Sequence, residues 1–135
     1  MTICLVGSEM CIRDSLRIVL LAPAFGVYDT LSEQIGDSEL GEWKKVGIKT
    51  FHPLGWDEDV SIPWTFMEDA RRLGWPEVNH RTVILHGLLD DVVPIESSRV
   101  FMRSSPFVEI VEVDDGHRLG ESLELLRDLV SMVLD

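Results

Sequence analysis

The sequence predicts an α/β domain built around a parallel sheet, and three observations carry that expectation. Two apolar, β-branched runs, Leu16 to Ala22 (LRIVLLA) and Thr82 to Leu85, have the form of strands buried on both faces. A third run, Val108 to Val113 (VEIVEV), alternates apolar and acidic residues, as a strand with one more polar face does. The segments after the second and third runs are helical in spacing, and strands alternating with helices imply parallel pairing through right-handed crossovers.

In chain order, the first strand is closed by Pro23 and Gly26. About sixty residues rich in Trp, Gly and acids follow, and within them one helix is expected. Pro63 takes its first-turn position, Trp64, Met67, Ala70 or Arg71 and Leu73 recur at helical spacing, and Gly74 is the stop. The second strand ends at His86-Gly87, after which Ile95 to Arg103 predicts a short helix with Ile95, Val100 and Phe101 turned inward. After the third strand, Ser122 is placed to cap a final helix whose Leu125, Leu126, Leu129, Val130, Met132 and Val133 form a wide apolar face. A parallel sheet needs cover on both faces and a neighbour at its open edge, so three strands read as the C-terminal part of a larger domain.

Composition narrows the function classes. The chain has 135 residues, one domain's worth, and its 45% apolar content is enough for a core. A net charge of −12, with no run of Lys or Arg longer than two, argues against nucleic acid or an anionic membrane surface as partner. No apolar run reaches the roughly 18–20 residues of a membrane span. Both cysteines, Cys4 and Cys11, fall near the N-terminus, and a cysteine-free remainder fits a reducing, cytoplasmic setting.

The chemistry concentrates in two loops. His86-Gly87-Leu88-Leu89-Asp90-Asp91-Val92-Val93-Pro94 follows the second strand, and Asp114-Asp115-Gly116-His117 follows the third. In open parallel sheets the C-terminal strand ends line the functional crevice, so both loops should emerge on one edge. A carboxylate there can hold an imidazole Nδ1–H and stabilise the imidazolium, leaving Nε2 to take a proton from a nucleophile. Read alone, each motif is also ordinary turn chemistry. His52 and His80 are loop histidines without ligand spacing, so no metal site is expected. Glu42 to Lys45 reads as a solvated face.

HGLLDDVVP, followed by the histidine of DDGHRL, resembles the acid and histidine segments of the α/β-hydrolase superfamily. Within it, the chain is similar to the YqiA/YcfP-like esterase family. LLAPAFG, FHPLGW, PWTFMEDARRL, the HG-x-x-D-x-x-VP loop, ESSRVF and VEIVEVDDGHRLGESL occur in that family's order, from Leu16 to the C-terminus. The resemblance implies a partial α/β-hydrolase fold: the last three parallel strands, their flanking helices and a cap-like insertion over residues 27–80. It also implies Asp90 as triad acid, with Asp91 as the alternative, and His117 as base. His86 is then a packing residue at its strand end. The implied reaction is hydrolysis of a small-molecule carboxylic ester or acyl thioester, without metal or organic cofactor. Trp64 and Trp56, with Trp43, Trp75, Phe51 and Phe66, are candidates to line an acyl pocket; the alternative is that they pack the insertion.

A serine nucleophile in G-x-S-x-G, on a strand before LRIVLLA, completes the family pattern. Ser8 stands there, in Val6-Gly7-Ser8-Glu9-Met10, without a glycine two residues to either side, and too few residues follow it for a typical crossover helix. A common transposase-end sequencing adapter, translated in one frame, instead reads CLVGSEMCIRD and then two bases that the next completes to Ser. The identity is unbroken over residues 4–15. Residues 1–15 are therefore expected to be non-native, with the nucleophile and oxyanion hole belonging to natural sequence upstream of Leu16. That upstream sequence also discriminates the alternatives: a Cys or Asp nucleophile, or a non-catalytic α/β binding module that keeps both loops for structure only.

Overall fold

The structure is a computed structural model that describes residues 17–53 and 55–134. Ser8, Cys4, Cys11 and the adapter-like stretch lie outside the described residues. The elements are β1 (Arg17–Leu21), α1 (Val27–Ile35), α2 (Asp37–Val46), β2 (Ile48–Phe51), β3 (Val60–Pro63), α3 (Thr65–Leu73), β4 (Arg81–Gly87), α4 (Ile95–Ser104) and β5 (Val108–Val113). A short 3₁₀ turn (Gly120–Ser122) and α5 (Leu123–Leu134) complete the chain. It divides into two compact units, one formed by residues 17–25 with 77–134 and the other by Gly26–Pro76.

The first unit contains a three-stranded parallel sheet in the order β1-β4-β5, with Leu21 opposite Leu85 and Gly87 opposite Val113. β4 is central, and successive side chains on a strand face opposite ways, so its neighbours Ile84 and Leu85 seed two separate cores. Ile84 packs with Phe25, Phe101 and Val108 on one face, where the Phe25 and Phe101 rings stack 3.9 Å apart. Leu85 packs with Leu119 and Leu129 on the other. Both Ile84 and Leu85 are fully buried, each stabilising the sheet by about 1.5–3 kcal/mol. The expected strand-helix-strand-helix order is present, and Arg99 ties α4 to β5 through a two-pronged ion pair with Glu112 at 2.6 and 3.1 Å.

Several inward assignments need correction. Phe101 is buried, but Val100 is 41% exposed, and Ser98 takes the inward position one turn earlier. On α5 Leu129 is buried, while Leu125, Val130 and Met132 flank the contact stripe and are exposed. Ser122 directly precedes α5, and its Oγ donates to the Asp115 carboxylate at 2.8 Å.

In the second unit the expectation of a single helix was too sparse. α1 and α2 precede α3, and β2 and β3 form an antiparallel hairpin with Ile48 opposite Pro63. α2 places Asp37 and Glu39 in its first turn and Lys44 and Lys45 in its last, matching the helix dipole, and ends on Gly47 at φ 88°. Pro63 ends β3 instead of opening α3, a hairpin-edge position that needs no N–H donor. Within Glu42 to Lys45, Trp43 is 2% exposed and belongs, with the fully buried Met67, to the core of this unit. Its ring meets Phe51 and Trp64 edge-on at 5.5 and 5.6 Å, and Nε1 donates to the Ile62 carbonyl at 3.0 Å. Trp43 is therefore a packing residue of this unit.

Candidate active site

The register pairs Gly87 with Val113 at the ends of β4 and β5, so the two loops that follow leave the sheet side by side on its C-terminal edge. The close approach depends on Gly87. A Cβ there would stand 2.2 Å from the Asp115 carbonyl oxygen. The Leu89 amide donates to that same oxygen at 3.0 Å, which fastens one loop to the other.

On this base Asp90 does two things at once. Oδ1 accepts the Val92 and Val93 amides at 2.9 and 2.8 Å, the turn chemistry expected of an aspartate after a strand. Oδ2 lies 2.9 Å from His117 Nδ1. The Asp90 side chain is fully buried, whereas that of His117 is 37% exposed. Burial pushes the Asp90 carboxyl up, but hydrogen bonds from the Val93 amide, His117 and the Val92 amide outweigh it and hold the group below the ordinary carboxylate range. An ionised carboxylate only accepts, so the ring proton on this side sits on Nδ1 and the Nε2 lone pair is left for a proton from elsewhere. Asp91, one residue on, is exposed.

His86 is a second imidazole on the same carboxylate. It is fully buried, with Nδ1 2.8 Å from Ser98 Oγ and Nε2 2.9 Å from the Val93 carbonyl and 3.2 Å from Asp90 Oδ2. The carbonyl requires Nε2 to be the donor, so in the neutral ring Nδ1 accepts from Ser98. His86 thus packs and braces the Asp90 turn from below, as a strand-end residue should. Ser98 was not singled out in the sequence; its signal was a lone small polar residue at the inward position of α4.

The remaining candidates fall in the Gly26–Pro76 unit. Trp64 is half-buried, and beside its contact with Trp43 it lines an open cavity of about 310 Å³ with Tyr28, Lys44, Glu68 and Arg71. Trp56 is 61% exposed on the hairpin loop. His52 pairs with Asp59 at 2.8 Å on that loop, both side chains exposed. Among the described residues no three His, Cys, Asp or Glu side chains are gathered as a metal would require, and no helix is long and apolar enough to cross a membrane.

Solved structures that resemble the chain include two hydrolase-fold proteins. One is a protein of Agrobacterium vitis S4 assigned as a hydrolase, at TM-score 0.73 and 24% identity, covering 88% of this chain and 49% of that one. The other is mouse alpha/beta hydrolase domain-containing protein 10, at TM-score 0.73 and 19% identity, covering 93% of this chain and 54% of that one. The fold is a partial α/β-hydrolase fold, three parallel strands with flanking helices. The chain spans about half the length of each of these two proteins. No protein-family model and no curated protein sequence matches it.

Proposed function

We propose that this chain carries the acid and base of a serine hydrolase acting on carboxylic esters or acyl thioesters, with the nucleophile supplied by natural sequence upstream of Leu16. The observation that supports this reading is the 2.9 Å contact between a buried, ionised Asp90 and the half-exposed His117, on adjacent loops at the C-terminal edge of a parallel sheet. In the proposed reaction His117 Nε2 takes the hydroxyl proton as the serine oxygen attacks the acyl carbon. The tetrahedral intermediate collapses by breaking the bond to the leaving group, which receives that proton from Nε2. Water then repeats the sequence on the acyl-enzyme, and Asp90 stabilises the imidazolium at each stage. Trp56 and Trp64 are proposed as acyl-contacting residues.

The test is fluorophosphonate labelling and ester turnover by the full-length protein. The expected result is one labelled serine upstream of residue 16, with D90N and H117A each lowering kcat on the order of 10⁴-fold while the fold is retained. An unlabelled protein, or a D90N variant with unchanged turnover, would refute the proposal. Raised KM for W56A or W64A at unchanged kcat is the outcome expected of acyl contacts.

A further inference from the structure

We infer that Asp115 is a positioning residue that shapes the loop presenting His117; the inference rests on the reading of Asp90 and His117 as a pair. Asp115 is 8% exposed, and among the described residues it forms no ion pair. Its carboxylate closes a ring across the loop instead. Oδ1 accepts the Gly116 amide at 2.7 Å, while Oδ2 accepts the Glu121 amide at 2.9 Å and the Ser122 hydroxyl at 2.8 Å. Residues 116–121 are thereby tied at both ends to one side chain, and His117 is inside the ring.

The loop so closed is one the backbone would not choose. Leu119 holds φ at 52°, the left-handed region that costs a residue with a Cβ on the order of 1 kcal/mol or more. Its side chain is nevertheless 4% exposed, inserted between Leu85 and Leu129. The hydrogen bonds to Asp115 and this apolar anchor together hold the turn against relaxation. Asp115 also reaches the other half of the pair, since its carbonyl takes the Leu89 amide and lies against Gly87. One residue therefore sets the shape of the His117 loop with its side chain and the spacing to the Asp90 loop with its main chain. Nothing in this arrangement touches reacting atoms, so the role is exercised entirely through His117.

The consequence is a specific ring state. Held against Asp90, neutral His117 carries its proton on Nδ1; released from it, the ring reverts to the Nε2–H form that free histidine favours. Two-bond ¹H–¹⁵N correlations on the chain distinguish the two. The wild type should show Nδ1–H as the majority form, and D115A should lose that majority. D115N keeps one accepting oxygen, and S122A removes one of the three bonds; both should show partial loss, which also serves if D115A does not fold. V108A, a core truncation on the opposite sheet face, should leave the ring unchanged despite its own destabilisation. A wild-type ring without the Nδ1–H form overturns the pairing of Asp90 with His117. A wild-type ring with it, unchanged in D115A or in both D115N and S122A, overturns the role of Asp115 alone.

Discussion

Replacing Gly87 with alanine adds a single methyl group where the two loops meet. That Cβ would lie 2.2 Å from the Asp115 carbonyl oxygen and 2.8 Å from both the Asp115 carbonyl carbon and the Gly116 oxygen. Ordinary contact begins near 3.4 Å, so the segment must retreat by about 1.2 Å (3.4 − 2.2). All three obstacles are main-chain atoms, which no rotamer change can move aside. A retreat of that size stretches the bond from Leu89 to Asp115 from 3.0 Å and the contact of His117 with Asp90 from 2.9 Å beyond hydrogen-bonding range. Overpacking costs about 1–3 kcal/mol, and the lost main-chain bond about 1 kcal/mol more. G87A is therefore expected to be about 3 kcal/mol less stable, a fall of about 10 °C in Tm for a chain of this size. Urea and thermal melts followed by circular dichroism measure the loss, and the His117 ring correlations measure the separation. Gly41, in α2 with nothing within 4 Å of its would-be Cβ, supplies the contrast: G41A should stabilise by about 0.5–1 kcal/mol. A G87A variant within about 0.5 kcal/mol of wild type that keeps the Nδ1–H ring would refute the argument that the two loops meet on that glycine.

Two further outcomes are expected. F101A, which empties a ring 1% exposed and stacked on Phe25, should cost about 3–5 kcal/mol by denaturant melt, far more than V100A on the exposed side of the same helix. Asp90 and Asp115 both ionise below their ordinary value of 3.8, so on acidification the unfolded chain takes up protons first. Their contribution is intact above that value and is lost as pH falls through the lower folded values. Urea midpoints measured on the acid side should consequently fall more steeply for wild type than for D115N, and parallel curves would count against the ring of bonds around Asp115.

What could be read in advance followed the physics of each segment. β4 is buried on both faces, so an unbroken apolar run was enough to announce it, and the strand ends told where its loops and Asp90 would emerge. The Gly26–Pro76 unit was poorly legible because its helices and hairpin are short and bury little. α1 has no buried residue, and α2 buries Trp43 alone, so little of either helix is fixed by a core. The overestimate of inward residues on α5 has the same origin: periodicity marks a face wide enough to be apolar, not how much of that face is covered. Asp115 was visible only as one letter of a turn signal, since nothing in DDG separates an aspartate that starts a turn from one that closes an eight-residue ring.

The arrangement also says how independent the pair is of what attacks the substrate. Asp90 is fixed by two amides of its own turn and braced by His86 on Ser98; His117 is fixed by a loop closed on Asp115; and the two loops meet through Gly87 and the Leu89 amide. Every one of these contacts is made within residues 86–122. None draws on sequence before β4, so the proposed acid and base are held in place by their own strands and loops. Preorganisation of this kind avoids rearrangement when charge develops on the imidazole. On the proposed reading, exchanging the nucleophile, Ser for Cys or Asp, would change the acyl chemistry while leaving the spacing of Asp90 and His117 where it is.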